Sequence, residues 1–143
     1  MRLFVVDSNV AAKWFLPSTH ETLVEEALEL LRRYQDGEIR FVVPDLFWAE
    51  FINVLWKVVR QKRWTNAMAA TALAQMRDRN LPTVPSRTLL EDAFHIAAIF
   101  DRSVYDCFYI ALAKQANGQL VTADEKLANA LAAHLPVKWL GAL

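Results

Sequence analysis

Cysteine is almost absent: Cys107 stands alone in 143 residues, so neither an internal disulfide nor a zinc site built on several thiolates is open to this chain. Glycine is nearly as scarce. Gly37, Gly118 and Gly141 lie far apart, and without a glycine-rich loop there is neither a P-loop nor a dinucleotide fingerprint. His20, His95 and His134 fall in different segments with no His-Glu-x-x-His pair, and none is assigned to a metal. None of Ser8, Ser18, Ser86 and Ser103 occupies a nucleophile elbow. Net charge is zero, with sixteen basic residues against sixteen acidic ones, so a nucleic-acid role needs a local basic patch rather than a general basic coat. No stretch of about eighteen residues is free of charge, and no membrane span is expected. Asp7 interrupts the apolar start where a signal peptide would need its hydrophobic centre, so a cytoplasmic protein is expected.

What the chain does have is apolar residues, 55% of the total, which excludes intrinsic disorder. No repeat or linker divides it, so a single domain over 1–143 is expected, long enough to bury about two-thirds of its unfolded surface. Leu3 to Val6 is a short apolar run of the kind found in central strands. Ser18-Thr19-His20-Glu21 reads as a capping box before a helix that Gly37 closes. Phe41 to Val43 reads as a second strand, followed by helices from about Asp45 to Arg60 and from Trp64 to Met76. Thr83 to Pro85 suits only a sheet edge, because its flanking prolines cannot donate to a ladder. A helix from about Thr88 to Phe100 follows, then one capped by Ser103 and ended by Gly118. Gln119 to Thr122 reads as a strand, Thr122 as the cap of the next helix, and Val137 to Trp139 as a last strand. Strands alternating with helices predict an α/β fold with a parallel sheet between two helical layers. In such folds ligands bind at the carboxyl ends of the strands.

With thiols, histidines and serines set aside, carboxylates are the remaining reagents. Four of them, Asp7, Glu50, Asp106 and Asp124, interrupt apolar segments. Each has an ordinary explanation: Asp7 as a strand-end acid or helix cap, Glu50 as one residue of a solvated stripe, Asp106 and Asp124 as first-turn acids facing helix dipoles. Glu50, Asn53, Lys57 and Arg60 share one helix face, and little else on that helix is polar, so the stripe could line a polar cleft. Taken together the four acids suggest more, because Asp7 and Asp124 both follow predicted parallel strands. If all four converge, two carboxylates about 4 Å apart repel by roughly 4 kcal/mol at an effective dielectric near 20. Protonation or a bound cation must relieve that, and an oxygen-only donor set suits magnesium or manganese.

The run from Val5-Val6-Asp7-Ser8-Asn9 to Leu16 resembles the opening of PIN-domain ribonucleases, in particular VapC-type toxins of bacterial toxin–antitoxin pairs. Val43-Pro44-Asp45-Leu46 through Glu50 to Leu55, Ser103-Val104-Tyr105-Asp106 to Ala113, and Leu120-Val121-Thr122-Ala123-Asp124 to Leu127 resemble the family's later motifs, in its order. Cys107 stands where relatives usually carry a small residue. The resemblance implies a three-layer α/β/α sandwich with a central parallel sheet, and a Mg2+- or Mn2+-dependent endoribonuclease using one or two ions. It carries catalysis onto Asp7, Glu50, Asp106 and Asp124, metal binding onto Asp7, Asp106 and Asp124, and supporting roles onto Asn9 and Thr122. Attack by water would leave 5′-phosphate ends. It also implies a homodimer and a cognate VapB-like antitoxin, with no membrane role.

Lys57 and Arg60, with Lys13 near the first acid, form the basic patch expected to meet the RNA backbone. Charges complementing a helix C-terminus would look the same, and Lys62 and Arg63 are read that way. The five tryptophans are expected to pack rather than stack on bases, while Phe15, Phe47, Phe51 and Trp56 could serve a partner surface. Asp101 is expected at a helix end or on the surface. A receiver domain would need a second acid beside Asp7, and an Asp-x-Asp phosphatase fails because Asn9 replaces the second aspartate. The reading that competes best is a PIN-like module that binds RNA or protein without cutting.

Overall fold

Phe4, Val5 and Val6 are all completely buried, although successive residues of a strand face opposite ways. Both faces of this strand are therefore covered, as its uninterrupted apolar run predicts. The structure is a computed structural model and describes residues 1–17 and 21–143. The buried strand, β1 (Arg2–Val6), is the middle of a five-stranded sheet completed by β2 (Ile39–Pro44), β3 (Thr83–Val84), β4 (Gln119–Thr122) and β5 (Val137–Trp139). The order across the sheet is β3-β2-β1-β4-β5 and all pairings are parallel. The short Thr83–Val84 strand lies at an edge, as its prolines require.

Seven helices stand among the described residues: α1 (Ser8–Ala11), α2 (Val24–Gln35), α3 (Leu46–Arg60), α4 (Asn66–Asp78), α5 (Leu90–Phe100), α6 (Val104–Gln115) and α7 (Glu125–Leu131). The expected capping box before α2 rests on residues 18–20 and lies outside the described residues. From β1 the chain steps through α2 to β2 on one side, and it later returns through α6 to β4 on the other. Right-handed crossovers in opposite directions put these helices on opposite faces, which makes the α/β/α sandwich. The change of direction falls between β1 and β4, the place where open α/β sheets form a crevice at their carboxyl ends. No helix among the described residues is long and apolar enough to cross a membrane.

Two local readings need correction. Asp124, not Thr122, caps α7, accepting a hydrogen bond from the Leu127 amide at 3.1 Å. Phe47 and Phe51, read as residues of a partner surface, are fully buried in the core, where they stack on each other at 6.0 Å while Phe15 meets Phe51 edge-on at 5.7 Å. Of that group Trp56 is exposed. Trp14 packs, stacking on Phe41 and donating to the Ala27 carbonyl, and Asp101 ends α5 on the surface.

Gly118 follows α6, but the left-handed turn there is made by Asn117. The glycine serves close approach instead: a Cβ at this position would sit 2.5 Å from the Leu3 carbonyl oxygen, against the backbone of β1. Gly118→Ala should therefore force β4 away from β1 and destabilise the fold by about 2–3 kcal/mol in urea denaturation. A variant as stable as the parent would mean that this approach tolerates a methyl group.

Candidate active site

Asp7 is the first residue past β1, and its amide extends the ladder by donating to the Val121 carbonyl at 3.1 Å. Val6 pairs with Val121 in the parallel register, which sets Asp7 beside Thr122 at the ends of neighbouring central strands. The Thr122 hydroxyl, itself fully buried, donates to Oδ2 of Asp7 at 2.9 Å. It also accepts from the Asp124 amide at 3.1 Å and from Nδ2 of Asn9 at 3.3 Å. Oδ1 of Asn9 accepts from the Ala123 amide at 3.1 Å. Thr122 and Asn9 thus stitch the turn after β1 to the turn after β4, and a strand-end hydroxyl becomes the hub of the site.

The other acids arrive from helices. Asp106 lies in the first turn of α6, where its amide donates to the Ser103 hydroxyl at 3.2 Å, as the capping reading expects. Asp124 caps α7 through Oδ1. Glu50 is half-buried on α3, and its Oε1 accepts a hydrogen bond from the Tyr109 hydroxyl at 2.5 Å. By contrast Asp45, also at a strand end, is bound by the amide and hydroxyl of Ser86 and belongs to a turn. The ordinary reading holds for Asp106 and Asp124, which both take part in helix starts, and Asp124 lies near enough to Asp106 to repel it.

Electrostatics links the four acids in pairs. Burial pushes the Asp7 carboxyl from an ordinary 3.8 up to about 7; the Thr122 hydroxyl and Asn9 backbone oppose that rise, while Glu50 and Asp106 add to it. Burial also raises Asp106; Ser103 opposes this, Asp124 reinforces it, and Arg102 works against it. The four carboxylates therefore form a chain of mutual repulsion. No ion pair involves any of them among the described residues. Nor do any three histidine, cysteine or acidic side chains there close into a ready-made cage. Oxygen donors at an open site fit a hard divalent ion that keeps waters and meets phosphate oxygens.

A family model for the PIN domain matches residues 4–131. Ribonuclease VapC3 of Pyrobaculum aerophilum is 30% identical over 126 residues, covering 87% of this chain and 91% of that protein. The chain belongs to the PIN-domain family, among its VapC-type members. The PIN fold itself is shared with PAE2754 of the same organism, at TM-score 0.70 and 19% identity over 99% of this chain and 85% of that one. It is shared too with a toxin–antitoxin complex from Klebsiella pneumoniae, at TM-score 0.63 and 15% identity over 96% of each.

The basic residues singled out in this PIN domain are placed unequally. Lys57 lies exposed on α3 and borders a groove of about 230 Å³ that reaches Asn9. Arg63, read as a charge complementing a helix C-terminus, borders the same groove. Lys13 also lines it but is 6% exposed and paired with Glu21 at 3.1 Å. Arg60 lies over the Trp56 ring at 5.2 Å. Tyr109 had no assigned role; its signal was a polar-tipped ring three residues past Asp106 in an otherwise apolar helix.

With metal chelated, native Asp7 holds a proton between about pH 4 and 7 that the unfolded chain has released. Stability should fall as pH rises through that window. Asp7→Asn should then be more stable than the parent at pH 8, by up to about 4 kcal/mol, with the gap closing toward pH 4. Urea denaturation in EDTA at both pH values tests this. An asparagine variant no more stable at pH 8 would contradict the buried, repelled carboxylate.

Proposed function

We propose that this chain is a metal-dependent endoribonuclease that hydrolyses RNA phosphodiester bonds as the toxin of a toxin–antitoxin pair. The observation that carries the reading is Asp7, buried at the end of the central strand and repelled by Glu50 and Asp106, with Asp106 in turn repelled by Asp124 and no ion pair to any of the four among the described residues. The 30% identity to ribonuclease VapC3 supports RNA as substrate. The toxin–antitoxin complex among the structural neighbours supports an antitoxin partner.

Asp7, Asp106 and Asp124 are the residues that would hold one or two Mg2+ or Mn2+ ions. Bound there, such an ion supplies a Lewis acid that activates water and offsets phosphate charge. Thr122 and Asn9 keep Asp7 aligned with the turn that carries Asp124. Glu50 stands at the border of the cluster as a further ligand or as the group that takes a proton from the attacking water. Water rather than the ribose 2′-hydroxyl would attack phosphorus and the 3′-oxygen would leave, so the products would carry a 5′-phosphate and a 3′-hydroxyl. Lys57 and Arg63, which line the same groove as Asn9, would offer the RNA backbone a positive track. Lys13 and Arg60 would add to the field of that track, but each already has a neighbour, Glu21 and Trp56. A homodimer belongs to the same reading; Phe94, Ile99 and Tyr105 are exposed apolar surface of the kind an interface covers.

Purified protein free of antitoxin should cut RNA with manganese or magnesium, leave 5′-phosphate ends, and stop in EDTA and on Asp106→Asn. Cleavage that survives EDTA, or that leaves 2′,3′-cyclic phosphates alone, would overturn the mechanism. An intact variant set with no cleavage and no metal affinity would favour a binding module. Charge reversal by Lys57→Glu should weaken RNA binding and reduce the salt slope of log K by about 1. An unchanged slope would remove Lys57 from the RNA track.

A further inference from the structure

The Tyr109 ring is core: it is 1% exposed and packed within the main hydrophobic cluster. Its hydroxyl reaches out of that core to a single acid, donating to Oε1 of Glu50 at 2.5 Å. Such a short bond to a carboxylate is charge-assisted and directional. Burial, and then the nearby charges of Asp7 and Glu50, hold the phenol in its protonated form against a smaller opposing effect of the Ser8 side chain. The two partners come from different helices, Tyr109 from α6 and Glu50 from α3. On α6, Tyr109 lies one turn beyond Asp106 and so on the same face. The other members of the α3 polar stripe, Asn53, Lys57 and Arg60, are exposed, whereas Glu50 is half-buried.

We propose that Tyr109 is a positioning residue that fixes the Glu50 carboxylate against the acid cluster, setting the spacing between the α3 acid and the α6 acid. The inference rests on the nuclease reading above. A glutamate on a helix surface has three free torsions, and nothing else within hydrogen-bond distance orders this one among the described residues. A hydroxyl carried on a rigid, fully packed ring is a fixed point, and groups that orient a metal-site ligand in this way govern affinity and rate without touching metal or substrate. A buried tyrosine that merely found a partner for its hydroxyl would look alike, and the experiment separates the two.

Tyr109→Phe keeps the ring and removes one oxygen, so the fold should persist, which circular dichroism checks. The variant should lose about tenfold or more in kcat while KM for RNA stays within about twofold. Its Mn2+ affinity by calorimetry should fall several-fold, and in a Glu50→Ala background the same substitution should change Mn2+ affinity no further. A Tyr109→Phe protein that cuts and binds Mn2+ like the parent, with at most a lower melting temperature, would overturn the inference alone. A parent protein that neither binds Mn2+ nor cuts RNA would overturn the nuclease reading, and the inference with it.

Discussion

The Asp7 carboxylate is withdrawn from water at the end of the central strand, and its side-chain hydrogen bond comes from a neutral hydroxyl, that of Thr122. An isolated buried carboxylate normally neutralises itself or finds a cation. Here no ion pair offsets the charge among the described residues, and Glu50 and Asp106 add their repulsion to the cost of burial, so the group keeps its proton up to about pH 7. Much of the architecture serves to hold that arrangement. The parallel register sets Thr122 beside Asp7, Asn9 ties the two strand-end turns together, and Gly118 lets β4 run close to β1. Under the proposed function, a divalent ion is what would offset the negative charge concentrated at this point.

The acids are also used for local structure. Asp124 caps α7 and Asp106 sits inside the Ser103 cap of α6. Helix N-termini carry partial positive charge, so starting two helices at the cluster lowers the cost of placing carboxylates there. The same geometry therefore builds the fold and eases the crowding of the acids. Asp45 marks the limit of the pattern: it too ends a strand, but Ser86 claims it and it stays outside the cluster.

The sheet and its helices were legible because apolar runs and glycine or proline stops repeat along the chain. The five strands fall where short apolar segments predict them, and the proline-flanked one is at an edge. The acids were legible as interruptions of those runs. Less visible was which oxygen does what. Thr122 looked like the cap of the helix after β4, yet register places its hydroxyl on Asp7. Tyr109 looked like core, and its ring is core; only the meeting of α3 and α6, 59 residues apart at the contact, gives its hydroxyl a partner. Lys13 looked like a free cation until Glu21, eight residues later, folded back on it. Local spacing reports faces of helices and strands, whereas these pairings depend on how distant elements pack.

The most direct test of the account is the titration of the Asp7 side-chain carboxyl, followed by carbon NMR with EDTA and then with saturating Mg2+. The account predicts a midpoint near pH 7 in EDTA, displaced well to the acid side once the ion is present, because an ion held by that carboxylate competes with its proton. A midpoint near pH 4 in EDTA, or one near 7 that Mg2+ leaves unmoved, would contradict it.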